Sequence, residues 1–234
     1  MKGVLYMIPN TLGNADTACT IPSVIQEKIR GIEVFIVEDL RSARRYLKSL
    51  DRSMNIDRLT FHELNEHTPP EEIPGFLSGA LNGSDTAVIT EAGAPGVADP
   101  GAVVVRQAHK KGIRVVPLTG PSSVLLSLMA SGLNGQEFRF HGYLPVKRPD
   151  RIRKIREIEL DVKRKGETQI FIEAPYRNDA LLKDILDSCD RATGLCIAVD
   201  ITLDTEYIRT MTISEWKNHK LSLHKRPAIF LLGK

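Results

Sequence analysis

Residues 90–101 read TEAGAPGVADPG: three glycines, two prolines, three alanines and two carboxylates, Glu91 and Asp99, with no Lys or Arg. Side chains this small let a ligand lie against the backbone, and the prolines limit the ordering that binding would otherwise require. A carboxylate pair without a cation suits hydroxyls or a positive charge and repels phosphate. Asp99 before Pro100 can equally cap the helix that follows, with Glu91 merely solvated. A second polar set, Glu38, Asp39 and Arg41 with His62, Glu63 and Asn65, falls at the ends of two predicted strands. These residue types can take a proton from an acceptor hydroxyl or hold it by hydrogen bonds, and they can equally belong to structural ion pairs.

Several other chemistries lack their residues. There is no GxxxxGK[ST], and IPNTLGNADT, after the first predicted strand, has one glycine where a dinucleotide fingerprint needs three. In HELNEH the histidines at 62 and 67 stand five apart and do not share a helical face, so no zinc site is expected. Cys19, Cys189 and Cys196 are odd in number, far apart and without CxxC spacing, which predicts reduced, structural thiols and no metal. No convincing nucleophile elbow occurs. ATPase, dehydrogenase, zinc protease and serine hydrolase are therefore set aside.

The elements that must position these residues alternate. Strands are predicted at 3–8, 33–37, 59–64, 86–90 and 114–117, with helices at 22–30, 40–50, 71–81 and 103–111 between them; Thr20 is a candidate cap for the first helix and Pro22 stands near its first turn. Such alternation predicts a mainly parallel α/β sheet, with ligands outside the carboxyl ends of its strands, where the loop at 90 emerges. After LTGPSS a second series begins: a helix at 124–131, a strand at 138–143, a basic helix, a strand at 168–172, a helix at 179–189, then strands at 195–200, 206–211 and 228–232. Fewer helices among these strands predict a mixed sheet. The expected organisation is two α/β domains, 1–118 and 119–234, without repeats or long linkers.

With 234 residues, 42% hydrophobic and 26% charged, the chain has the composition of an ordinary globular protein. No apolar run approaches bilayer length and the N-terminal run is too short for a signal segment, so a cytoplasmic protein without membrane contact is expected. The net charge of +3 is unevenly spread: residues 147–166 hold nine Lys or Arg against four Asp or Glu. That segment is either a solvated helix laced with i,i+4 pairs such as Arg153 with Glu157, or a surface for a polyanion such as RNA.

The strings YMIPNTLGN, VEDLRSARRYL, FHELNE, TEAGAPGVADPG, VVPLTGPSSVLLSLMASGL, FRFHGYLP and IFIEAPYR occur in an order and spacing that resemble one family. The chain is similar to the tetrapyrrole methylase superfamily of S-adenosylmethionine-dependent methyltransferases, and within it to the small-subunit ribosomal RNA ribose 2′-O-methyltransferases. The resemblance covers residues 3 to about 177. It implies two α/β domains with a cofactor cleft between them, a homodimer, and S-adenosylmethionine as cofactor. It assigns cofactor contacts to Leu12, Glu91, Gly93, Ala94, Ala98 and Asp99, to Ser122 and Ser123, and further to Ala174, Ala198 and Leu203; the two serines can equally cap the helix that starts there. Sulfonium, hydroxyls and a flat base need backbone groups, a carboxylate and apolar walls, which the cation-free loop offers.

The chain also departs from the family. Where the ribosomal enzymes read Arg-Glu-Leu-Thr-Lys, it has AVDITLDTEY, keeping Thr202 without the arginine and lysine, and it is expected to lack the additional tail domain common there. Three functions stay open: ribosomal RNA methylation, methylation of a small molecule such as a tetrapyrrole, and a non-catalytic RNA-binding paralogue. For the first, Lys147, Arg148, Arg151, Arg153 and Lys154 are expected to meet phosphates.

Overall fold

Apolar runs of four or five residues, bounded by Gly, Pro, Asp and Asn, become short buried strands. The computed structural model describes residues 1–13 and 16–234; Asn14, which ends YMIPNTLGN, lies outside the described residues. Two compact units result, Met1–Ser122 and Ser123–Lys234.

In the first unit β1 (Val4–Ile8), β2 (Val34–Val37), β3 (Thr60–Glu63), β4 (Thr86–Ile89) and β5 (Arg114–Pro117) form a parallel sheet in the order β3-β2-β4-β1-β5. A parallel sheet buries both faces, hence the unbroken apolar sequence of β1 and β4. One face carries α2 (Ser23–Ile29) and α3 (Leu40–Leu50), whose Ile25, Ile29, Ala43, Tyr46 and Leu47 pack on Ile8, Phe35 and Ile89. The apolar positions 43, 46, 47 and 50 of α3 are one helical stripe, and Asp39 caps the helix by accepting from the Ser42 N–H at 2.7 Å. The other face carries α5 (Gly101–Lys110) and segment 73–81, with Val104, Ala108, Ile73 and Leu77 against Leu5, Met7 and Val88.

Two local expectations change. The helix expected over 71–81 is a 3-10 turn, Ile73–Leu77, running into the short α4, Ser78–Leu81; Pro74 removes a donor, and Gly75 and Gly79 weaken propagation. Thr20 does not cap α2. It ends a short α1, Thr17–Thr20, donating to the Asp16 carbonyl, and Pro22 itself occupies the N-cap of α2.

In the second unit the order is β6 (Phe138–Tyr143), β7 (Thr168–Ile172), β10 (Ala228–Gly233), β8 (Gly194–Val199), β9 (Tyr207–Thr212). Only β6 and β7 pair in parallel, so the sheet is mixed. Because β7 and β8 both run antiparallel to β10, the carboxyl ends of β6, β7 and β8 share one edge. The α7 helix (Arg148–Lys165), α8 (Asn178–Ser188) and the short α9 (Ile213–Trp216) cover one face with Ile155, Ile158, Leu181, Ile185 and Trp216; α6 (Ser123–Ser131) covers the other with Val124 and Leu128.

The basic helix is anchored by its own charges. Arg151 is 6% exposed and grips Asp184 through Nε at 2.9 Å and Nη2 at 2.6 Å, while Arg148 donates to the other carboxylate oxygen. Burial alone would push the Asp184 carboxyl up, and the two guanidinium groups reverse this and hold it below the usual range.

Candidate active site

Along the parallel sheet the chain moves from β1 toward β2 and β3, then returns to β4 before reaching β5, so the connections after β1 and β4 diverge to opposite faces. The crevice between the carboxyl ends of β1 and β4 is thus the switch point where open α/β sheets bind ligands. Asn10, the second residue after β1, spans it. Its side-chain amide donates to the Thr90 carbonyl at 2.9 Å and the Glu91 carbonyl at 3.1 Å, and its backbone exchanges two hydrogen bonds with Gly93. Tyr46 of α3 steadies the same loop by donating to the Pro9 carbonyl at 2.6 Å, and burial pushes its phenol up.

A third loop closes on these two. A Cβ at Gly120 would lie 2.2 Å from Pro9 Cγ, so TGPSS approaches as closely as it does only because residue 120 has no side chain. Gly93 has φ +72°, and a Cβ there would sit 3.2 Å from Leu12 Cδ2 and 3.6 Å from the Pro121 carbonyl. The loops after β1, β4 and β5 therefore pack backbone against backbone, with the Leu12 side chain lying against Gly93.

Residues 90–101 hold their shape through Asp99, whose Oδ1 accepts from the Gly96 N–H at 2.8 Å and the Gly101 N–H at 2.7 Å. Pro100, not Asp99, occupies the N-cap of α5; Asp99 Oδ1 ties the loop to Gly101, whereas Oδ2 is buried with no hydrogen-bond partner among the described residues. A buried carboxylate oxygen left open is costly unless something binds it. Ala98 adopts φ +62°, a left-handed strain that a non-glycine residue keeps where function fixes the backbone. Ala94 accepts from the Val97 N–H, and Glu91 is exposed.

Glu38 directly follows β2, beside this loop. Its Oε1 accepts from Thr90 Oγ1 at 3.3 Å, and Glu38, Thr90 and Asp99 line a small concavity with Leu64 and Gly101. Burial raises the Glu38 carboxyl, and the neighbouring charges of Asp99 and Glu91 raise it further. The other polar candidates are placed differently. Asp39 is the α3 cap, lowered by its hydrogen bonds to Ser42. Glu63 accepts from the Leu40 N–H, Asn65 holds the turn at His67, and Arg41 is exposed. His62 stacks on Phe76 at 4.8 Å between ring centres, and burial lowers its imidazole.

Ser122 is half-buried at the end of the first unit, and Ser123 opens α6. In the second unit Ala174 follows β7 and donates its N–H to Glu173 Oε1 at 2.7 Å. Ala198 is wholly buried within β8, and Leu203 lies in the turn after it. In that turn Asp200 and Thr202 have φ +50° and +72°, and Thr202 Oγ1 is buried without a partner among the described residues. Sequence reasoning missed Asn10, Thr90 and Tyr46; an amide-bearing residue directly after the first strand was the one available signal.

No family model matches the chain. It is 31% identical over 212 residues to the ribosomal RNA small subunit methyltransferase I of Vibrio cholerae, covering 91% of this chain and 69% of that protein. In fold it is similar to the methyltransferase CobJ, with a TM-score of 0.65 at 13% identity over 99% of this chain and 94% of that one. It is also similar to the uroporphyrin-III C-methyltransferase of Thermus thermophilus in complex with S-adenosylhomocysteine, with a TM-score of 0.59 at 15% identity over 99% and 98% of the two chains.

Proposed function

The chain belongs to the ribosomal RNA small subunit methyltransferase I family, and on that premise we propose that it transfers a methyl group from S-adenosylmethionine to a ribose 2′-hydroxyl of small-subunit ribosomal RNA. The observation that carries this reading is the set of cation-free loops packed at the switch point, together with the concavity lined by Glu38, Thr90 and Asp99, whose Oδ2 is buried and open. Such a site rejects polyphosphates and fits a ligand of net positive charge with hydroxyls. Bound there, S-adenosylmethionine supplies an electrophilic methyl carbon. In the first unit Leu12, Glu91, Gly93, Ala94, Ala98, Asp99 and Ser122 would hold it; Ser123, Ala174, Ala198 and Leu203 are assigned by the resemblance to the family.

Methyl transfer is an in-line displacement in which positioning of the acceptor oxygen matters most. Glu38 is the group best placed to take the hydroxyl proton, because its environment moves its carboxyl toward neutrality while Thr90 fixes its orientation. Asn10 positions the loop and touches no reacting atom.

The exposed Lys147, Arg153 and Arg156 provide phosphate contacts, whereas Arg151, turned inward to Asp184, does not. The protein works as a cytoplasmic homodimer, which sedimentation equilibrium tests. Among the described residues no helix is long and apolar enough to cross a membrane. Incubation with isolated small subunits and radiolabelled S-adenosylmethionine, followed by nucleoside mass spectrometry, should yield one 2′-O-methylated nucleoside. Transfer to a tetrapyrrole and none to subunits would overturn the RNA assignment.

A further inference from the structure

At the shared edge of the second unit two tyrosines stand in water. Tyr143, the last residue of β6, is 60% exposed, and Tyr176, in the 3-10 turn Pro175–Arg177 after β7, is 67% exposed. A tyrosine ring has an apolar face and a polar tip, and two such rings left open at one edge offer a surface to a partner. Their placement is built into the backbone. The register of β6 against β7 shifts between Phe140 and Tyr143, where Gly142 adopts φ +66°, and Tyr143 resumes pairing opposite Ile172, one residue before Glu173. A bulge of this kind re-aims the side chain that follows it.

Arg177 stacks on one of the two rings. Its guanidinium carbon lies 5.3 Å from the centre of the Tyr176 ring, a cation–π contact. Glu173, 4% exposed, holds that guanidinium through Nη2, while Arg177 Nε is buried and has no partner among the described residues. The turn is braced by loop 224–227: the Lys225 N–H donates to the Pro175 carbonyl and the Asn178 amide to the Arg226 carbonyl, which brings the exposed Lys225 to the turn that carries Tyr176. Lys147 follows Tyr143 by four residues and is exposed.

Two open aromatic faces, a stacked arginine and flanking lysines are the elements with which proteins hold single-stranded nucleic acid: the rings take bases and the cations take phosphates. We propose that Tyr143 and Tyr176, braced by Arg177, form a stacking platform for unpaired bases of the RNA substrate. The proposal rests on the RNA reading given above and places a substrate-binding element in the second unit. Duplex RNA, whose bases are already stacked, gains nothing from it.

The test compares wild type with Tyr143→Ala, Tyr176→Ala and Tyr176→Phe, using a fluorescein-labelled single-stranded RNA of about 12 nucleotides, the same RNA as a duplex, and isolated small subunits. Each alanine variant should weaken single-strand binding by about 5- to 100-fold, with the dependence on salt unchanged because no phosphate contact is lost. Phenylalanine at 176 should bind within about twofold of wild type, and duplex binding should not move. Calorimetric affinity for S-adenosylhomocysteine should stay at wild-type level in all three. Equal single-strand binding by wild type and both alanine variants, while wild type methylates subunits, overturns the platform and leaves the RNA reading standing. Loss of binding accompanied by a change of oligomeric state also overturns it, since the rings would then be buried against a second copy. If wild type neither binds RNA nor methylates subunits, the RNA reading and the platform fail together.

Discussion

Thr90 Oγ1 donates a hydrogen bond to Glu38 Oε1 at 3.3 Å, joining the ends of two adjacent parallel strands at a carboxylate that Asp99 and Glu91 already disfavour as an anion. Glu38→Gln should lower kcat for methyl transfer by about 10²- to 10⁴-fold, the usual contribution of a general base, while cofactor affinity changes little. Unaltered turnover would remove Glu38 from the reaction.

The same carboxylate sets a pH dependence. Its folded pKa lies above the ordinary 4.5, so the stability it contributes is complete below that value and is lost as pH rises through the folded pKa. Glu38→Gln should therefore melt higher than wild type at neutral pH, where the ionised side chain faces two like charges. Wild-type activity should rise across the pH window just above 4.5 as the base ionises, and that limb should vanish in any residual activity of the variant. Melting curves and rate profiles over pH 4–8 check both.

Asn10→Leu removes three hydrogen bonds and strands the carbonyls of Thr90 and Glu91 and the Thr11 N–H. It should cost about 1–3 kcal/mol in denaturant unfolding and raise KM for S-adenosylmethionine well above its effect on kcat. A kcat loss without a KM change would mean that Asn10 does more than position the loop.

Gly93→Val forces a β-branched residue to φ +72° and drives its Cβ toward Leu12. Calorimetry should show no binding of S-adenosylmethionine or S-adenosylhomocysteine, with a circular dichroism spectrum near wild type because residue 93 lies in a loop outside the helices and strands. Normal binding would place the cofactor elsewhere.

Arg151→Ala leaves the Asp184 carboxylate buried with one partner and should destabilise by about 3–5 kcal/mol. Since Asp184 has a lowered folded pKa, the stability it brings is present above 3.8 and is lost as pH falls through the folded value, so wild type should lose more of its stability in acid than the variant does. Arg153→Ala, at an exposed pair with Asp150, should leave stability within about 0.5 kcal/mol and reduce the salt slope of RNA binding by roughly one. Denaturant titration separates the two arginines.

The β/α alternation and the TEAGAPGVADPG loop were legible in the sequence because both are local: apolar period marks strands and helices, and small residues mark a close approach. The side-chain pairings were not. Nothing in a run of nine basic residues says that Arg151 turns inward, because Asp184 lies 33 residues away. Glu38 could not be separated from Asp39 either, until one proved to be a helix cap and the other a neighbour of Thr90. The prolines near 71–81 were visible, yet the apolar period outweighed them and predicted one helix where the chain makes a 3-10 turn and a single α turn.

The strand order of the first unit also governs how the chain acquires its shape during synthesis. β1 is made first, but both of its neighbours, Thr86–Ile89 and Arg114–Pro117, are made much later. Leu5, Met7 and Ile8 must therefore wait, unpaired and apolar, until residue 89 has left the ribosomal tunnel. Until then β2 and β3 can pair only with each other, and the nascent chain depends on chaperones or on speed to keep its first strand from aggregating.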